Sequence, residues 1–474
     1  MKKNILLVFA ISVVFLTFNA CQDRSDLTAP AINDGSADFS RLVSIGNSLT
    51  MGIQSNSCWQ SAQQYSIGNQ FAKQVGNVTY AQPYVSDPGL GQRIEIQSLM
   101  TYPPTLAYNT NMGVPLNSSY EAPYNNLGIS GAILYDIMDS TDLATKTIKR
   151  QNPYFQLVLR DQTKFGSSIY AQAKNLKPTF ILLDIGNNDA LGYGLSGGTS
   201  GPDATGKLPT DQNVFAALYS QLAAAIKADM PSTKVAIANI PDINSIPYFT
   251  TVGPLIALEL AIANVDLYYQ KTNETGIASG KTRLTSANDV LITLPGVVYA
   301  TLIGKATGQF YRDNGYTALP AGIDTTKPFG VDPRNPWPNA LVLDLDEQAI
   351  LANAIASFNK TIAGIVSANS NFVLVDVNSL FNTLKLGYTA NGLLFNSSYI
   401  TGRLFSLDGV HPTSQGYAVF TNEFIRSINA KFGANISLIN VATVPGSLTL
   451  SKTGYPEIPY RFQAVAGTFR NIQY

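Results

Sequence analysis

The chain carries one histidine, His411, in the stretch Phe405-Ser-Leu-Asp-Gly-Val-His-Pro412. Any chemistry that needs an imidazole must use it, and an imidazole base needs a partner to set its tautomer. Asp408 stands three positions upstream, within reach if the segment makes a tight turn. Three polar, glycine-bearing stretches lie far upstream: Gly46-Asn-Ser48, Gly128-Ile-Ser-Gly131 and Gly186-Asn-Asn-Asp189. Nucleophilic acyl transfer requires a hydroxyl, a base, a group that orients the base, and donors for the oxyanion. Ser48 is the candidate hydroxyl, His411 the base and Asp408 the orienting carboxylate. The backbone N–H groups of Ser48 and Gly131 and the side-chain amide of Asn188 are the candidate oxyanion donors. One histidine cannot build a multi-histidine metal site, so the expected chemistry uses neither metal nor cofactor.

Each stretch needs an element to present it. Arg41 to Ile45 is a short apolar run stopped by Gly46, and Pro178 to Ile185 is a buried-strand pattern stopped by Gly186. In an α/β protein such strands deliver catalytic residues at their carboxyl ends. Ala132 to Met138 is expected to start a helix whose first N–H groups lie near Gly131. Lys234 to Ile240 and Phe372 to Val377 read as further strands. Gln70 to Gly76, Phe215 to Asp229, Leu255 to Lys271, Leu345 to Ala368 and Tyr417 to Phe432 read as helices. Alternating strands and helices predict a parallel sheet covered on both faces.

In order and residue type these stretches resemble the SGNH or GDSL family of ester hydrolases. The family's Gly-Asp-Ser-Leu block is similar to Gly46-Asn47-Ser48-Leu49, and its block-two glycine to Gly131. Its Gly-x-Asn-Asp block is matched by Gly186-Asn187-Asn188-Asp189, and its Asp-x-x-His-Pro block by Asp408-Gly-Val-His411-Pro412. The resemblance implies a three-layer α/β/α sandwich on a flavodoxin-like parallel sheet, and a lipase, acylhydrolase or esterase working through Ser48, Asp408 and His411. Asn47 departs from the family's aspartate, which implies altered local hydrogen bonding beside an intact nucleophile. A carbohydrate O-deacetylase and a non-catalytic surface binding protein on the same fold are the alternatives. Gly194-Leu-Ser-Gly-Gly198 also satisfies a nucleophile-elbow pattern, but it lacks the strand before and the helix after that the elbow needs.

Composition sets the surroundings. The chain of 474 residues has 31 basic and 31 acidic residues, and only 13% of it is charged. A neutral chain without a clustered basic face argues against a nucleic-acid partner. Lys2, Lys3 and the apolar run from Ile5 to Phe18 read as a signal peptide over 1–20, with Cys21 as the lipid-anchor position of a lipoprotein. Residues 21–40 read as a tether, 41–432 as the hydrolase domain, and 433–474 as a small β-like extension. Insertions are expected near 52–123 and 275–340, the second as a lid or a wall of the cleft. The expected partners are an ester of small-molecule, lipid or acylated-glycan type, and a membrane reached through the anchor. The expected location is the bacterial cell envelope outside the cytoplasm, at the outer membrane, or else secreted. Cys58, left as the free thiol, reads as a packed small residue.

Overall fold

Five parallel strands form the central sheet: β1 (Leu42–Gly46), β2 (Asn126–Gly128), β3 (Phe180–Asp184), β4 (Lys234–Ala238) and β5 (Phe372–Val375). They lie in the order β2-β1-β3-β4-β5, and every pairing is parallel. This is the flavodoxin-like order, whose switch point falls where β1 meets its neighbours. The computed structural model describes residues 32–446 except 78, 101–103, 200–207, 272–273, 275 and 286–288. Cys21, the segment before it, and the part of the expected β-like extension beyond residue 446 lie outside the described residues.

The strands form because their residues can be buried on both sides. All five residues of β1 and all five of β3 are buried, which suits a parallel strand covered by helices on each face. The main helices are α1 (Ser48–Met51), α2 (Ile67–Gln74), α3 (Leu134–Met138), α4 (Asn188–Leu195), α5 (Gln212–Asp229), α6 (Leu345–Ser367), α7 (Val377–Leu386) and α8 (Ser414–Phe432). α3, α5 and α6 pack together on one face, and α2 and α8 on the other. α6 starts in a capping box, where Asp344 accepts from the Glu347 N–H and Glu347 accepts from the Asp344 N–H. α5 and α6 are joined by the stacked rings of Phe215 and Phe358, with centroids 3.9 Å apart. On the other face Phe180 meets Phe71 of α2 and Phe432 of α8.

Several expectations needed correcting. Asn126–Gly128 is an edge strand, too short for its pattern to stand out. Leu191 to Leu195, in spite of its glycines, lies inside α4, where they pack against neighbours: a Cβ on Gly194 would lie 3.0 Å from the Phe249 ring. The helix expected over Leu255–Lys271 runs instead over Val252–Ala263 and ends at Asn264, which is left-handed at φ 51°. Leu267–Tyr269 then pairs antiparallel with Gly280–Thr282. Ile436 to Val444 forms no strand. Its backbone is met by amides of α8: Asn422 bonds both the N–H and the carbonyl of Ile439, and Asn429 does the same for Ile436. Side-chain amides thus do the work of a neighbouring strand.

The segment 52–123 holds a short helix (Gln60–Gln63), α2 and an antiparallel hairpin of Arg93–Ser98 with Thr105–Asn109. Residues 275–340 form short pieces, including Leu291–Ile292 paired with Val342–Leu343 and a helix at Gln309–Asp313.

The ring stack makes a stability prediction. Phe358→Ala removes a fully buried ring and should cost about 3–5 kcal/mol in chemical denaturation. A loss below about 1 kcal/mol would mean that the two helices are held by other contacts.

Candidate active site

Ser48 sits where β1 ends and α1 begins. Gly46 is in register with Asp184 on one side and Gly128 on the other. Side chains here would block the close approach of α1: a Cβ on Gly46 would come within 2.1 Å of the Thr50 hydroxyl, and one on Gly128 within 2.4 Å of the Met51 nitrogen. Two glycines therefore let the helix sit on the strand ends and hold Ser48 there, 3% exposed. Asn47 caps α1, its carbonyl oxygen accepting from the Leu49 N–H at 3.0 Å. Its amide nitrogen Nδ2 is buried without a partner. An aspartate would keep the cap but present an acceptor there instead of a donor.

Asp408 and His411 lie on a tight loop closed by the bridge of Phe405 with Pro412, and by the Ser406 N–H donating to the His411 carbonyl at 2.8 Å. Gly409 turns this loop at φ 69° against Tyr248, whose N–H donates to the Gly409 carbonyl. The Asp408 carboxylate accepts from the backbone N–H of Val410 and of His411, and from the N–H of Asn56 at 2.8 Å. Its Oδ2 also bonds His411 Nδ1 at 2.9 Å. Burial acts to raise this carboxyl, but His411 and the backbone N–H donors outweigh it and hold it below the usual carboxylate range. The opposite ring nitrogen, His411 Nε2, is buried and has no hydrogen-bond partner among the described residues.

Asn188 opens α4 and donates from Nδ2 to the Ala132 carbonyl at 2.9 Å. Asp189, fully buried, accepts from the Leu134 N–H and the Thr210 hydroxyl, each at 2.8 Å. The bonds to Ala132 and Leu134 bind the Gly131 segment to the start of α4. Gly131 itself has φ 77°, a backbone that favours glycine. Gly186, at φ 111°, packs on the Phe215 ring and turns the chain from β3 into α4.

One cavity at the carboxyl ends of the strands gathers these groups. Ser48, Asn188 and His411 all line it. Asp408 stands behind His411, and Gly131 is linked to the site through its neighbour Ala132 without lining the cavity. Leu191, Pro241, Ile243, Ile246, Val377, Phe381, Phe420 and Phe424 make the walls mainly apolar. None of the described residues of 275–340, the segment expected as a lid or wall, is among those that line it. Ser196, the serine of the elbow-like pattern, lies at the end of α4 and donates its hydroxyl to the Tyr193 carbonyl at 2.7 Å. Cys58 is fully buried, and burial pushes its thiol up to about 12.

Sequence reasoning missed Asn56, Asn187 and Asp184. Ser55 and Asn56 have left-handed backbones at φ 46° and 65°, which no pattern in the sequence announces. Asp184 was legible as the one carboxylate ending the apolar run Phe180-Ile-Leu-Leu-Asp184. It lines the cavity and accepts from the Asn187 amide at 2.9 Å.

Burial pushes the Asp184 carboxyl up to about 6, against the pull of its Asn187 hydrogen bond. A folded value above the unfolded one means that ionisation opposes folding. The penalty is absent below about pH 4 and complete above about pH 6, and a shift of this size corresponds to about 3 kcal/mol. Asp184→Asn should therefore raise the thermal midpoint over wild type at pH 8 and leave it nearly unchanged at pH 4. An equal shift at both pH values would rule out a charge penalty.

Comparison with known proteins agrees with this geometry. A family model for GDSL-like lipase/acylhydrolase matches residues 42–302, a span that includes Ser48, Gly131 and Asn188 and stops before Asp408 and His411. No curated protein and no solved structure matches the chain. The family match supports a hydrolase of the esterase or lipase type. With more than half of its length matched, and a five-stranded parallel sheet flanked by helices, the chain belongs to the GDSL-like lipase/acylhydrolase family.

Proposed function

We propose that the protein hydrolyses carboxylic esters through Ser48, His411 and Asp408. The observation that supports this reading is the 2.9 Å bond from Asp408 to His411 Nδ1, which leaves Nε2 unpartnered in the cavity that Ser48 lines. In this reading Nε2 takes the proton as the Ser48 oxygen attacks the ester carbonyl. The backbone N–H groups of Ser48 and Gly131 and the Asn188 amide receive the negative charge that develops on the carbonyl oxygen. His411 then gives its proton to the departing alcohol, leaving an acyl group on Ser48. A water molecule, deprotonated by His411, attacks that acyl group, and the acid leaves as the Ser48 hydroxyl is restored.

Asp408 stays anionic throughout, because its hydrogen bonds stabilise the charge more than burial opposes it. It steadies the imidazolium and keeps Nδ1 as the donor. The apolar cavity walls favour an acyl chain over a sugar. In the same reading Cys21 carries a lipid after the signal peptide is removed, and holds the enzyme at the cell envelope.

Turnover of p-nitrophenyl acetate tests the roles. Ser48→Ala and His411→Ala should each cost roughly 10⁴–10⁶. Asn188→Ala should cost roughly 10²–10³, the value of one oxyanion donor. Wild-type turnover in Ser48→Ala would sink the assignment. Cys21→Ser should move the protein from the membrane fraction to the soluble fraction, and unchanged membrane association would refute the anchor.

A further inference from the structure

The cavity holds more polar capacity than ester hydrolysis uses. Among the described residues that line it, Asp184 is the one acidic side chain. Residues of a strand alternate between faces, so Asp184 shares the side of Phe180 and Leu182, the side that α8 covers. That side is apolar along the rest of β3, and a leucine at 184 would continue it. A carboxylate at 6% exposure with no cation beside it is costly to keep. Asn187 donates to Oδ1, and Oδ2 receives no hydrogen bond among the described residues. Tyr417, also in the lining, spends its hydroxyl on the Ile53 carbonyl instead.

A second acceptor stands beside it. Asn187 is oriented by its bond to Asp184, which turns its own carbonyl oxygen away, and that Oδ1 is buried without a partner. The register of β3 with β1 puts Asp184 next to Gly46, two residues before Ser48. On the Ser48 side the unpartnered atom is instead a donor, Asn47 Nδ2. An unpartnered donor therefore lies next to the nucleophile in sequence, and surplus acceptors lie at the next strand end. A plain alkyl chain would leave Asp184 and Asn187 unpaired and dry, at the cost of their desolvation.

We propose that Asp184 and Asn187 form a specificity subsite for a hydrogen-bond donor on the substrate, a hydroxyl or amino group borne close to the scissile ester. This rests on the ester-hydrolase reading above. Asp184 is a selecting residue here, and the chemistry at Ser48 does not pass through it.

The test compares p-nitrophenyl hexanoate with its 3-hydroxy and 3-amino derivatives. Wild-type kcat/KM should favour at least one donor-bearing ester by roughly tenfold or more, as expected for a site that pairs a substrate group. The hydroxy and amino arms separate a neutral donor from a cation. Asp184→Leu should bring the ratio to one or below, and Asp184→Asn, which retains an acceptor oxygen, should fall between. Equal wild-type rates on all three esters, or an unchanged ratio in Asp184→Leu, would overturn the subsite. If Asp184→Leu does not fold, the ratio in Asp184→Asn decides, and no drop from wild type overturns the proposal. Ester turnover that persists in Ser48→Ala would instead overturn the hydrolase reading. The subsite then stands or falls on whether Ser48→Ala protein binds methyl 3-hydroxyhexanoate or methyl 3-aminohexanoate more tightly than methyl hexanoate.

Discussion

The Asp408 carboxylate is where the two ends of this domain are tied together. It is buried, yet it accepts from Val410, His411 and Asn56 backbone N–H groups and from the His411 ring. The Asn56 bond joins positions 352 residues apart and anchors the histidine loop to the segment that follows Ser48. Ser55 adds to this joint, its N–H donating to the Ser406 hydroxyl at 2.9 Å. The hairpin at Arg93–Ser98 covers the joint, with Ile94 and Ile96 packed on Leu407. A charge in a low-dielectric interior is stable only when donors surround it, so the loop, the turn and the hairpin must assemble together.

A related economy runs through the whole site. The chain is poor in charge, and its carboxylates there are satisfied by backbone N–H groups and amides more than by cations. Asp189 fastens the Gly131 segment to α4 in this way. The amides of α8 hold the C-terminal segment by the same device. Such bonds are directional and short-ranged, so they fix geometry with little dependence on salt. In the cavity lining, Asp184 takes its one hydrogen bond from the Asn187 amide, and the Asn187 carbonyl oxygen is left without a donor among the described residues.

Much of the fold was readable because burial on both faces leaves a plain trace. The apolar runs that became β1, β3, β4 and β5 needed no tertiary information, and the amphipathic spacing of α5, α6 and α8 needed little. β2 was missed because three residues carry no period. The β-like composition of Ile436 to Val444 misled because asparagine side chains, far away in kind from a strand, supplied its partners.

By itself the chain determined which groups could act. A single histidine, an aspartate at a turn's distance and a serine after a strand-ending glycine are facts of residue type and local spacing. Local spacing also sets the Asp408–His411 pair, since three residues of tight turn bring them together. Only the tertiary structure decided that Ser48, Asn188 and His411 share one cavity, and that Asp184 is turned into it. Those outcomes depend on strand register and on how helices pack over the sheet. Both are settled by contacts between residues hundreds of positions apart, which no local pattern encodes.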